Sequence, residues 1–174
     1  MKYITDFDHT LLDTDCFVAA VKKDGRGDIL ITPEIWKHYN VRDFLYSDVL
    51  EWLSLKDKND LYILTAITPE LGSLSEQFQK EKLLSGNFDE YVSEITFMVG
   101  MKGEYAAEIA KQFPPHEPVV FIDDRPDQCH SVKQYLPNAH CFIINRDKDN
   151  ILTEMNFPVV FNLAQVDDSM NTLV

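Results

Sequence analysis

The sequence is short of positive charge. It sets 16 Lys and Arg against 29 Asp and Glu, for a formal net charge of -13. A surface of that sign does not suit broad binding to a nucleic-acid backbone or an anionic membrane, which need basic patches. A phosphorylated ligand stays compatible, because a bound metal ion inverts the local field. Long apolar runs are also missing. None reaches the length that spans a bilayer, and no basic stretch leads into an apolar core near the start, so no signal peptide is expected. Cysteine is scarce. Cys16, Cys129 and Cys141 are odd in number and have neither C-x-x-C nor zinc-type spacing, which argues against a disulfide framework or a structural zinc site. Reduced thiols in a cytoplasmic protein are the simplest expectation. There is no internal repeat and no low-complexity segment. What remains is an ordinary globular balance, 45% hydrophobic and 26% charged over 174 residues, which suffices for one domain spanning 1–174 with a full-sized core.

Short apolar runs alternate with amphipathic stretches. Residues 2–7, 61–66, 94–99, 118–124 and 140–145 read as strands, with "PVVF" near the end as a further one. Helices are expected over 14–22, over 41–55 (Val41, Phe44, Leu45, Val49, Trp52 and Leu53 recur at helical spacing), from Thr68-Pro69 with Leu71, Leu74 and Phe78 on one face, from Lys102-Gly103 to the Pro114-Pro115 stop, from Pro126 to Leu136, and at the end of the chain. Thr32 and Pro33 are the expected cap and first turn of another helix, and "KKDGRGD" and "RDKDN" are loops. The alternation predicts an α/β fold with a mostly parallel sheet. Such sheets bind ligands at the carboxyl ends of their strands.

Those ends carry a distinctive set. Asp6 and Asp8 follow the first strand, Thr65 ends the second, Lys102 opens a helix, and Asp123 and Asp124 end the strand "VVFI". Four carboxylates in one crevice repel one another. The set makes sense around a hard divalent cation, and Mg2+ prefers oxygen ligands and a substrate phosphate. Lys102 adds positive charge and Thr65 a hydroxyl donor. Asp6 is then placed to attack phosphorus, and Asp8 to protonate the departing oxygen and later deprotonate water. One of the two must be ionised while the other carries a proton, so their environments must differ.

The order Asp6-x-Asp8-x-Thr10, Thr65, Lys102, Asp123-Asp124 resembles the four motifs of the haloacid dehalogenase (HAD) superfamily, spread over residues 6 to 124. The resemblance implies a three-layer Rossmann-like core. It implies that Asp6 is nucleophile and metal ligand, and that Asp8 is acid/base and binds the metal through its carbonyl. Asp123 and Asp124 would hold Mg2+, with Asp124 the direct ligand, while Thr10, Thr65 and Lys102 would meet the substrate. The superfamily's dehalogenases lack the second aspartate, so Asp8 favours a phosphatase or phosphotransferase. Ile122 departs from the glycine that many members carry there. Between Thr65 and Lys102 only 36 residues intervene, too few for a large cap. Any cap is therefore small and falls in 14–40, and 151–174 forms a tail packed on the core. The expected partner is a small phosphorylated substrate or a phosphorylated macromolecule.

Each of these residues also has an ordinary role taken alone. Asp6 and Asp8 suit a turn, Thr65 a strand, Lys102 a solvated surface, and Asp123 and Asp124 a helix cap. Asp13 and Asp15 read as a cap. Asp127 fits either the site or a cap. A signalling receiver domain also gathers aspartates, a threonine and a lysine around Mg2+, but its lysine follows its acidic groups, whereas Lys102 precedes Asp123. A catalytically silent phosphate-binding protein on the same fold is the remaining alternative.

Overall fold

The apolar runs become six parallel strands in one sheet. The computed structural model describes residues 1–68, 72–147 and 156–172. In chain order the strands are β1 (Lys2–Thr5), β2 (Leu61–Ala66), β3 (Glu94–Met98), β4 (Val119–Asp123), β5 (His140–Ile144) and β6 (Val159–Val160). They are arranged β3-β2-β1-β4-β5-β6. Six α-helices stand among the described residues: α1 (Thr14–Lys23), α2 (Val49–Ser54), α3 (Ser73–Ser85), α4 (Gly103–Ala110), α5 (Pro126–Tyr135) and α6 (Leu163–Asn171). None of the described helices is long and apolar enough to cross a membrane.

Successive strand residues face opposite sides, and the sheet uses both. Tyr3, Leu61, Ile63, Val120 and Ile122 point into one apolar layer with Phe7, Trp52, Phe88 and Val166. Ile4, Tyr62, Leu64, Phe121 and Ile143 point into the other, with Ala106, Ile109, Cys129 and Val132. Burial of both faces explains why these strands read as unbroken apolar runs rather than alternating ones. The result is the three-layer α/β architecture expected from the sequence.

The order places β1 and β4 side by side at the point where the chain's path along the sheet reverses, and crevices open at such points. The register pairs Thr5 with Ile122, and the Asp6 amide donates to the Ile122 carbonyl at 2.8 Å. The next residue on each strand is an aspartate. Adjacency of Asp6 and Asp123 is thus a consequence of register.

The strand expected over 2–7 stops at Thr5, because the chain then turns. The Phe7 carbonyl accepts from the Leu11 and Leu12 amides, and His9 takes a left-handed φ of 56°, a conformation uncommon outside glycine in which asparagine, aspartate and histidine are the enriched types. The helix expected over 41–55 is broken in two. Val41–Phe44 is a 3-10 turn and α2 begins only at Val49. Between them the Phe44 carbonyl accepts from Asp13 and the Tyr46 amide donates to Leu11. Pairing with the turn after β1 has overridden local periodicity. Pro33–Lys37 is likewise 3-10, and Thr32 makes no side-chain capping bond. Asp13 does cap α1, accepting from the Cys16 amide at 2.8 Å.

Helix α3 starts at Ser73, and Leu74 is half exposed. Pro69 and Leu71, the 148–150 part of the expected charged turn and 151–155 of the tail lie outside the described residues. The rest of the tail adds β6 to the sheet edge and buries Leu163, Val166 and Met170 of α6.

Candidate active site

A cavity of about 360 Å³ opens at the carboxyl ends of β1, β2 and β4. Asp6, Asp8, Thr65, Lys102 and Asp124 line it. A larger groove of about 600 Å³ between Thr32–Lys37 and α3 gathers none of these groups.

Lys102 organises the floor. Its Nζ lies 2.5 Å from Asp6 Oδ1 and 2.7 Å from Asp123 Oδ2, and all three side chains are buried. The backbone holds it there. The Lys102 amide donates to Gln128 Oε1 at 2.8 Å, and the Gly103 amide donates to Ser131 Oγ at 3.0 Å. Helices α4 and α5 approach so closely that a Cβ on Gly103 would stand 2.4 Å from the Ser131 carbonyl oxygen. Glycine is required by that contact. Asp123 is fixed at its other oxygen by the Arg125 amide at 2.9 Å.

One carboxylate oxygen from each of Asp6, Asp123 and Asp124 lies within 4.8 Å of the other two. Burial pushes the Asp6 carboxyl up to about 7, and Asp123 adds to the rise while Lys102 pulls against it. Asp123 and Asp124 are also raised, chiefly by burial. Burial disfavours the Lys102 ammonium, yet Asp6 and Asp123 outweigh it and hold the pKa above the ordinary lysine value. Three crowded carboxylates against one lysine leave uncompensated negative charge. Their oxygens are the hard donors Mg2+ takes, and such an ion fits this group. The Thr65 hydroxyl is fully buried and has no hydrogen-bond partner, an open donor in a cavity wall.

Asp8 stands apart from the trio. Its carboxylate takes two bonds from Lys82 Nζ, at 2.7 and 2.9 Å, one from Gln79 Nε2 at 3.1 Å and one from Thr14 Oγ1 at 3.1 Å. Burial alone would raise its pKa. The Lys82 charge and these bonds prevail and hold it below the usual carboxylate range. The two motif-one aspartates are thus set apart, with Asp8 the more readily ionised. Lys82, Gln79 and Thr14 did not stand out in the sequence. A signal was present, because Ser75, Gln79 and Lys82 fall at helical spacing on one face of α3, and all three are buried. A polar stripe facing inward marks a buried polar function.

The remaining expected residues divide. The structure brings Asp6, Asp8, Thr65, Lys102 and Asp124 to the cavity, with Asp123 packed beneath. It does not bring Thr10 there. Thr10 is fully buried in the turn, its hydroxyl is unpartnered, and its carbonyl accepts from Arg146 at 2.7 and 2.9 Å. Asp127 is exposed and paired with Arg125, outside the trio.

No family model matches the sequence, and no curated protein matches it. Solved structures do match the fold. The HAD-hydrolase YfnB from Bacillus subtilis, solved bound to magnesium, aligns at a TM-score of 0.65 with 13% identity over 98% of each chain. The L-2-haloacid dehalogenase from Xanthobacter autotrophicus aligns at 0.65 with 11% identity over 98% of each chain. The yeast UTR4 protein from Saccharomyces cerevisiae aligns at 0.60 with 12% identity, over 94% of this chain and 98% of that one. The chain shares its fold with these HAD-type hydrolases and dehalogenases. The HAD-type structures that share it include dehalogenases as well as the magnesium-bound YfnB, so chemistry must be argued from this chain's own residues.

Proposed function

We propose that the chain is a Mg2+-dependent phosphomonoester hydrolase working through an aspartyl-phosphate on Asp6. The observation that carries this reading is the trio Asp6, Asp123 and Asp124 around Lys102 at the β1/β4 crevice. Held by those three carboxylates and the Asp8 carbonyl, Mg2+ would keep Asp6 ionised and withdraw charge from the phosphoryl oxygens. The other roles belong to side chains. The Thr65 hydroxyl donates to a phosphoryl oxygen, and Lys102 offsets the charge of nucleophile and phosphate.

An Asp6 carboxylate oxygen forms a bond to phosphorus as the ester oxygen departs with its electron pair. Asp8 hands that oxygen a proton. Water then attacks the phosphoryl group and Asp8 receives its proton, which restores the free carboxylate of Asp6 and releases inorganic phosphate. Asp8 also separates this reading from dehalogenation, which has no leaving oxygen to protonate. Lys82 holds Asp8 ionised, the form the second step needs. For the first step the Lys82 ammonium passes a proton through Asp8 to the ester oxygen, and the proton that Asp8 later takes from water returns to Lys82.

Release of phosphate from 4-nitrophenyl phosphate by the purified chain tests the proposal. Turnover is expected with Mg2+, and its loss is expected in EDTA and in Asp6→Asn. Turnover that ignores both treatments would sink it.

A further inference from the structure

The same cavity has a second half, and its chemistry differs. Beside the carboxylates it is lined by Phe17 and Val18 of α1, Leu30 and Ile31 from the segment 14–40, and Phe78 of α3. The wall is built firmly. Phe17 stacks on Trp36 at 4.6 Å, and Trp36 meets Phe78 at 5.4 Å. Ile31 is nonetheless 50% exposed at the rim. Every Lys and Arg that lines the cavity, among the described residues, is already matched to a carboxylate: Lys102 to Asp6 and Asp123, Lys82 to Asp8, and Arg125 to Asp127.

From this we infer that the substrate is a small phosphomonoester whose alcohol half is compact, uncharged and apolar, a single ring or a branched aliphatic group. The inference rests on the phosphomonoester reading and adds the substrate class. The phosphoryl end is fixed by Thr65 and Lys102, so the alcohol half must lie against the apolar wall. Hydroxyls placed there would lose water without gaining partners. A second anionic group would find no free cation to meet it. The volume of about 360 Å³ is near the lower bound for ligand cavities, which suits a small ester. The 14–40 segment thereby acts as the side wall that selects the ester.

Calorimetric titration of the whole chain in Mg2+ tests this without turnover. The probes are benzylphosphonate and 2,3-dihydroxypropylphosphonate, similar in reach and opposite in polarity. Benzylphosphonate is expected to bind about tenfold tighter, the gain from burying one ring face. Ile31→Asp, at a half-exposed position, is expected to remove most of that advantage while the melting temperature holds. Should that variant fold poorly, the wild-type comparison decides alone. Equal affinities, or tighter binding of the dihydroxy compound, would overturn the substrate class and leave the phosphoryl site standing. Binding of neither probe, with Mg2+ bound, would overturn both readings. A peptide carrying a phosphonate analogue of phosphotyrosine that binds about tenfold tighter than benzylphosphonate would overturn the small-molecule assignment.

Discussion

Arg146 grips Asp48 with both carboxylate oxygens at 2.9 Å from one nitrogen, and turns its remaining donors on the Thr10 carbonyl. The pair ties the end of β5 to the segment before α2 and to the turn that presents Asp8. Asp48 also accepts from the Leu163 amide at 2.7 Å, which begins α6. The guanidinium is only 8% exposed, so the contact is screened little by solvent.

Arg146→Ala is expected to destabilise the fold by about 2 kcal/mol, the usual size for hydrogen bonds to a charged group. Urea unfolding checks it. Arg146→Lys is expected to recover little, because an ammonium cannot reproduce the fork. A double-mutant cycle with Asp48→Ala isolates the pair's coupling.

Gly103→Ala is expected to lower stability by about 1–3 kcal/mol through overpacking against Ser131. The same variant moves the amide that positions Lys102, so kcat is expected to fall with it. Thermal unfolding and steady-state kinetics on one preparation check both effects.

Much of this site was legible in the sequence because its residues sit at strand ends. Apolar runs buried on both faces are the clearest signal a chain of this class carries, and the run 61–66 coincides with β2 to the residue. Once the strands are placed, parallel topology brings Asp6, Thr65, Lys102 and Asp123 together. The helical periodicity of the 41–55 stretch serves two short elements rather than one helix. Its middle residues bond to the turn after β1, a long-range pairing that no local pattern contains. Thr10 shares the motif but faces the interior. Lys82 escaped notice for a related reason: its partner is 74 residues away.

Lys82→Met leaves Asp8 without its counter-charge, and misplacement of an acid/base group commonly costs about a hundredfold. A loss of that order in kcat is expected with alkyl phosphates, with KM little changed. Lys82→Arg is expected to restore part of it. A nitrophenyl ester, whose leaving group needs no proton, is expected to lose far less. A uniform loss across all esters would assign Lys82 a role in folding alone.

The thiols provide a check on the fold itself. Cys16 is exposed, and Cys129 and Cys141 are buried. The Cys141 sulfur beside it and burial raise the Cys129 thiol well above its ordinary range, which suppresses thiolate reactivity. One cysteine per chain, Cys16, is expected to react with a disulfide reagent in buffer, and all three in denaturant.

The central claim is that Asp6 becomes phosphorylated during turnover. Rapid acid quench with a 4-nitrophenyl phosphate substrate, followed by borohydride reduction and peptide mass spectrometry, reads this directly, since an aspartyl-phosphate is reduced to homoserine. Homoserine is predicted at position 6, only when substrate and Mg2+ are both present. Steady turnover with position 6 unmodified, or with the modification at Asp8, would contradict the account.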